Sequence, residues 1–198
     1  MKIDHSLPLE YRTEENRLKI IGFWIFLGAE VMLFATLFAS YFTLYNRTGN
    51  GPSGAEIFDI TPVLIETILL LTSSFVIGLG IHAMRINNKK AMIIFFTITL
   101  LLGLGFLGFE IYEFIHYVHI GAGLQTSAFT AILLTTLGTH GAHVTFGLFW
   151  GLFIIIQVKK NGINSETANK SFIFSLYWHF LDVVWIFIFS FIYLKGMM

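Results

Sequence analysis

The chain has no cysteine, little charge and little proline. Its 198 residues include 12% charged residues and three prolines. Without cysteine it forms no disulfide, no thiolate metal site and no covalently attached c-type haem. The formal net charge is zero and no basic run occurs, which argues against nucleic-acid binding.

Apolar residues dominate the chain. They make up 56% of it and fall in long blocks rather than at amphipathic spacing. A block of about 20 residues crosses a hydrocarbon core of roughly 30 Å as a helix. The sequence therefore predicts an all-α integral membrane bundle of five transmembrane helices, with residues 1–198 forming a single transmembrane domain. The helices are predicted at about residues 19–45, 62–84, 91–117, 130–158 and 172–195.

Lysine and arginine lie mostly at one end of these helices. All but Arg47 and Lys195 of the 12 precede the first segment or join the second to the third or the fourth to the fifth. The positive-inside rule then predicts a cytoplasmic N-terminus and a C-terminus outside. The first segment is too long for a signal-peptide core, so we expect it to be retained. Ser165 is the predicted N-cap of the last helix.

Glycines mark faces where helices can approach closely. Gly147-x-x-x-Gly151 lies on the fourth segment, and Gly103, Gly105 and Gly108 lie on the third. We expect these faces to pack within the bundle, with a homodimer contact as the alternative. The Gly-x-Gly-x-x-Gly match at 103–108 lies inside a membrane helix and predicts no nucleotide site, because that motif requires a βαβ unit.

Ten ionisable side chains in or beside the segments are candidates for structural, lipid-contacting or proton-related roles. Depth divides them into three groups, since Glu30 lies roughly 16 Å along its helix, near the midplane. One predicted layer contains Glu30, His140, His143 and Asp182, with His179 one turn from Asp182. Glu66, Glu110 and Glu113 lie near the outer face, and His82 and Arg85 near the inner face, where Arg85 is expected to reach head groups.

Spacing suggests that these groups face inward. His140 and His143, His179 and Asp182, and Glu110 and Glu113 are i,i+3 pairs, so each pair shares a helix face. A charged aspartate facing lipid at mid-helix costs roughly 2.5–3.5 kcal/mol. Two interpretations remain open for the residues of the last two helices, helix-to-helix bonding and chemistry. For Glu30 and Glu110 we favour function or lipid contact.

Metal or haem binding is a weaker hypothesis. A haem in a bundle needs histidines on facing helices, and only His140 or His143 against His179 comes close. Glu113-x-x-His116 resembles half of a di-iron motif, but the chain has no second copy. We predict no catalytic residue, no metal ligand and no cofactor in this chain.

Five motifs, in order along the chain, resemble subunit III of haem-copper terminal oxidases. They are Gly22–Phe34, Leu71–Ser74, Gly108–Phe114, Leu137–Val144 and the closing Tyr177–Trp185. The resemblance extends from about residue 17 to 195. It begins at the third helix of the longer cytochrome c oxidase form, whereas five helices are typical of the bacterial quinol oxidase branch. The residues of these motifs are most similar to those of subunit III in the aa3-type menaquinol oxidases.

The resemblance implies an indirect role. In that family subunit I carries haem and copper, reduces oxygen and pumps protons. Subunit III carries no cofactor, packs beside subunit I, binds phospholipid and supports proton uptake. The resemblance also implies subunits II and IV as partners and a bacterial plasma membrane location. Two alternatives are subunit III of a cytochrome c oxidase and a free-standing membrane metalloenzyme that uses the intramembrane histidines.

Overall fold

The computed structural model describes residues 6–49 and 51–197, and Lys2 of the charge count above lies outside them. Every regular element in the described ranges is helical. Five helices are long and apolar enough to cross a membrane, as the sequence predicts. The elements are a 3-10 turn at Leu9–Tyr11, then α1 (Glu14–Leu44), the short α2 (Gly54–Ile57), α3 (Ile60–Arg85), α4 (Lys89–His119), α5 (Ala128–Asn161) and α6 (Ser165–Ile188), which continues as a π-helix through Phe189–Leu194.

Each long helix begins at a polar side chain that caps it. The capping oxygens accept hydrogen bonds from backbone N–H groups of the first turn, which otherwise have no partner. The caps are Thr13 for α1, Asp59 for α3, Asn88 for α4, Ser127 for α5 and Asn164 for α6.

The helices begin between two and seven residues before the predicted segments. The two largest differences, at α1 and α6, arise because the first turns of these helices are polar and hydrophobicity does not mark them. The predicted N-cap of the last helix is wrong by one residue. Asn164 Oδ1 accepts from Thr167 N at 2.8 Å, and Ser165 is the first helical residue. Gly162, with φ of +71°, makes the preceding turn that brings α6 back along α5.

Helix α6 occupies the centre of the bundle. It packs against α1, α3 and α5, while α4 packs against α3 and α5. Among the long helices, α1 packs mainly against α5 and α6, so in the described part of the chain it lies at the edge of the bundle. It exposes large apolar side chains such as Ile25 and Met32, as a helix facing lipid does.

Trp178 fixes the spacing of the inner helices. Its indole reaches from α6 to glycines on α4 and α5. A methyl group at Gly103 would lie 2.7 Å from the ring, and one at Gly147 would lie 3.0 Å from it. At Gly151 a methyl group would meet Leu100 and Phe174. These close approaches confirm packing within the bundle for the three glycines.

The Trp178 contact predicts different outcomes for two glycines of α4. Gly103→Ala forces its methyl into the indole and should lower the free energy of unfolding by about 1–3 kcal/mol. Gly108→Ala is the control, because Gly108 has open space around it and alanine is the better helix former. Thermal unfolding of the purified protein in detergent measures both. Equal melting temperatures for the two variants would contradict the packing described here.

Candidate functional site

Glu30 of α1 and His143 of α5 form a direct pair. Glu30 Oε2 lies 3.0 Å from His143 Nε2, and both side chains are largely buried. His143 Nδ1 lies 2.7 Å from the carbonyl oxygen of Thr139. A carbonyl only accepts, so Nδ1 carries the hydrogen of that bond. Nε2 then either accepts a proton shared by a neutral Glu30 or donates to its carboxylate. The pair holds one proton between two helices in either state.

His140 lies one turn from His143 but in a different environment. It is fully buried, and the rings of Phe34, Phe106 and Trp185 surround its imidazole with centroids 5.4–6.4 Å away. Neither ring nitrogen has a hydrogen-bond partner among the described residues. The two histidines of the motif therefore do different things. His143 bonds a carboxyl group, and His140 packs among aromatic rings.

The closing motif ties α6 to its neighbours. Its Tyr177 hydroxyl donates to the carbonyl oxygen of His143 at 2.9 Å. Its other polar groups face α3, where the indole N–H groups act as donors. The bonds to α3 are Trp178 Nε1 to Ser73 Oγ at 2.9 Å, His179 Nδ1 with Ser74 Oγ at 2.7 Å, and Trp185 Nε1 to Thr67 Oγ1 at 3.0 Å.

Asp182 belongs to this α3-facing side of α6. It is buried, and its Oδ1 has no hydrogen-bond partner within the described ranges. In those same ranges no hydrogen bond joins Asp182 to Glu30 or His143. The midplane group expected from depth is thus divided, with the Glu30–His143 pair between α1 and α5, and His179 with Asp182 between α6 and α3. Depth alone could not separate them, because it leaves the rotation of each helix undetermined.

Three carboxyl groups form a second cluster, which we call the carboxylate cluster. Glu66 of α3 and Glu110 and Glu113 of α4 are all at most 5% exposed. Glu113 Oε2 accepts from Tyr193 at 2.6 Å and from Tyr117 at 3.2 Å. The oxygens of Glu66 and Glu110 have no partner among the described residues.

Glu110 also marks a close approach to α5. Its carboxyl group lies so near Gly141 that any side chain at that glycine would collide with it. Glu66 lies close enough to interact electrostatically with both glutamates of α4. The predicted outer group is therefore a real spatial cluster. Two tyrosines that sequence reasoning did not select complete it.

At the opposite end of the bundle, Arg85 has a partner that the sequence did not indicate. Its Nη2 and Nε donate to Glu10 Oε1 at 2.7 and 3.0 Å. Glu10 is fully buried, while the Arg85 side chain is about half exposed. Arg85 was expected to reach head groups; it clamps the N-terminal turn onto the end of α3.

Two asparagines and a serine form further hydrogen bonds that hold the N-terminal turn and the start of α1 against α6. Asn169 Nδ2 donates to the backbone oxygens of Glu10 and Asn16. Asn16 Nδ2 bonds Ser165 at 3.0 Å, and Ser165 Oγ bonds the carbonyl oxygen of Leu9. His82, also predicted at this end, is exposed. No motif marks Glu10 or Asn169, because their partners lie far along the chain: Glu10 bonds the side chain of Arg85, and Asn169 bonds backbone oxygens of Glu10 and Asn16.

The intramembrane histidines His140, His143 and His179 do not come together as a haem or metal site among the residues that the structure describes. His143 uses both ring nitrogens for Glu30 and Thr139, and His179 uses Nδ1 for Ser74. Aromatic rings fill the space around His140. Glu113 is buried while His116 is exposed, so they share no site. Within the described part of the chain, no three metal-ligating side chains come together.

Comparison with known proteins adds to this geometry. The family model described as "Cytochrome c oxidase subunit III" matches residues 12–197. The "Quinol oxidase subunit 3" of Bacillus subtilis (strain 168) is 57% identical over 97% of this chain and 94% of the relative. The "Cytochrome c oxidase subunit 3" of Bacillus sp. (strain PS3) is 50% identical over 97% and 93%. A "Probable quinol oxidase subunit 3" of Staphylococcus saprophyticus is 48% identical over 96% and 94%.

The carboxylate cluster makes a testable prediction. Tyr193→Phe removes the 2.6 Å hydrogen bond to Glu113 without changing the ring. It should lower the free energy of unfolding by about 1–3 kcal/mol, because a buried carboxyl group then loses a donor. Tyr112→Phe is the control, since Tyr112 lies on the same helix as Glu113 and is 63% exposed. Denaturation in detergent compares the two, and a harmless Tyr193→Phe would show that this bond contributes nothing.

Proposed function

The chain belongs to the cytochrome c oxidase subunit III family, and from that premise we propose that it is the non-catalytic subunit III of a proton-pumping quinol:oxygen oxidoreductase. Its partner subunit I holds the haem and copper in this proposal. The chain packs beside subunit I, with subunits II and IV in the same complex. It stabilises subunit I, binds phospholipid and supports sustained proton uptake.

The hydrogen bonds that the polar side chains make support a structural, non-catalytic role. Tyr177, Trp178, His179 and Trp185 are all engaged in bonds between helices. The motif that most resembles an active site in sequence is thereby occupied in holding α6 in place. The buried groups that keep a polar atom without a partner in the described ranges include Asp182, His140, Glu66 and Glu110. We infer that these are structural or proton-holding groups rather than reaction centres.

Quinol is favoured as the electron donor by the degree of similarity. Identity is 57% to a quinol oxidase subunit 3 and 50% to a cytochrome c oxidase subunit 3. The second candidate is therefore the same subunit in a cytochrome c oxidase. A complex purified through a tag on this chain should contain haem and oxidise quinol. Oxidation of reduced cytochrome c in preference to quinol would favour the second candidate, and absence of an oxidase subunit would overturn both.

Charge distribution supports a location in the bacterial plasma membrane with the N-terminus inside. The helix ends that carry Arg85, Lys89, Lys90, Lys159 and Lys160 lie at one end of the bundle, and cytoplasmic loops are enriched in such residues. The opposite loops carry fewer cations. We propose residues 1–198 as one transmembrane domain in this orientation.

The absence of cysteine makes this orientation directly testable. Lys160→Cys should react with a membrane-impermeant maleimide only after the cytoplasmic side is opened. Leu124→Cys, in the exposed loop between α4 and α5, should react from outside in intact cells. The unmodified chain is the blank. The reverse pattern would show that the N-terminus lies outside.

Glu30 carries the functional prediction for the intramembrane pair. Glu30→Ala should leave the haem content of the complex intact but reduce its stability by about 1–3 kcal/mol, since His143 loses its partner. The complex should also release this subunit sooner or lose activity earlier during turnover. Haem spectra, subunit retention and the time course of oxygen consumption measure these effects.

Glu15→Ala provides the matched control on α1. Glu15 pairs with Lys19 at the exposed start of the helix, where such pairs contribute about 0–1 kcal/mol. We expect this variant to behave like the unmodified complex. If Glu30→Ala also keeps full activity, lifetime and subunit retention, the Glu30–His143 pair is dispensable.

A further inference from the structure

A groove runs along the outer seam between α4 and α5. Its volume is about 440 Å³, and its walls are apolar side chains such as Leu101, Leu104, Phe149 and Leu152. On α4 it extends from Thr97 to Leu107, about 15 Å at the helical rise of 1.5 Å per residue. That length is about half of a 30 Å hydrocarbon core, the depth of one leaflet.

Apart from Lys159 at one end, the groove has no free hydrogen-bond donor along its walls. Its two threonines both satisfy their hydroxyl groups within their own helices. Thr97 donates to the carbonyl oxygen of Ile93 and Thr145 to that of Gly141, each at 2.8 Å. An acyl chain has no hydrogen-bonding groups, so it matches this apolar surface.

One end of the groove is strongly positive. Lys159 is the charged residue of the lining, and Lys89 Nζ lies 2.9 Å from the carbonyl oxygen of Lys159. Lys90 and Lys160 are exposed beside them. In the described ranges no carboxylate lies within ion-pairing distance of these four lysines, whereas Lys19 and Lys170 each pair with a glutamate.

We propose that this groove binds one acyl chain of an anionic phospholipid whose phosphate lies beside Lys89 and Lys159. This proposal rests on the phospholipid binding proposed above and locates the lipid at the seam between α4 and α5. An apolar channel one leaflet deep matches the tail, and uncompensated cations at its mouth match the head group. Anionic lipids are also abundant in the cytoplasmic leaflet, where the charge distribution places these lysines.

Photocrosslinking of the intact purified oxidase tests the site. The complex is placed in nanodiscs containing either phosphatidylglycerol or phosphatidylcholine with the same diazirine-bearing acyl chain, and labelled peptides are identified. Labelling of residues 97–107 and 145–159 should be stronger with the anionic probe by about fivefold or more, since each basic residue at a membrane surface contributes a factor of about five.

Two matched pairs of variants separate charge from shape. Lys159→Gln should lower the preference for the anionic probe, because only Lys89 then remains beside the phosphate, whereas Lys160→Gln removes the same charge outside the lining and should retain most of the preference. Leu104→Trp fills the groove and should remove its labelling. Leu64→Trp, at another lipid-facing position on α3, should leave the labelling of the groove unchanged.

The outcomes distinguish this site from the broader proposal. Equal labelling by the two probes would overturn the role of the lysines. An unlabelled groove on an otherwise labelled chain, with another subunit crosslinked to it, would show that a protein covers the seam; the general proposal of lipid binding would then survive. Absence of lipid labelling anywhere on the chain would overturn both.

Discussion

Trp178 holds the arrangement of the four inner helices. From α6 its indole N–H bonds Ser73 on α3, and its ring lies against Gly103 on α4 and Gly147 on α5. In a bilayer apolar burial does not drive helices together, because lipid tails are as apolar as the side chains. Close van der Waals contact and hydrogen bonds between helices take over that role. Trp178 makes a hydrogen bond to α3 and van der Waals contacts with α4 and α5. It therefore sets the distances between helices on which the other contacts depend.

The positions of the other polar side chains are consistent with this helix spacing. At this distance between α6 and α3, His179 bonds Ser74 and Trp185 bonds Thr67 on the α3-facing side of α6. Helix α1 then packs on the other side, and Glu30 meets His143. The carboxylate cluster near the outer end is different, since only Glu113 has donors. The hydrogen bonds between helices are concentrated around Trp178, whereas Glu66 and Glu110 near one end of the bundle have no partner in the described ranges.

The sequence predicted much of the fold and part of the site. Long apolar runs gave the number of helices, because their length must match the membrane. The i,i+3 spacing placed Glu110 with Glu113, and depth placed Glu66 beside them. The starts of α1 and α6 and the cap at Asn164 were missed, since hydrophobicity does not mark polar first turns. Glu10 was missed as well, because its partner Arg85 is 75 residues away and neither belongs to a recognisable motif.

The sequence by itself determined the class, the family and the inventory of buried polar residues, because those depend on composition, run length and motif order. Only the tertiary structure decided which residues are partners. Glu30, His143 and Asp182 have similar depths, yet Glu30 pairs with His143 and Asp182 faces α3. Depth is a property of position along one helix. Pairing depends on how each helix is rotated about its axis, and that rotation depends on packing against side chains of other helices, such as the indole of Trp178 against Gly103 and Gly147.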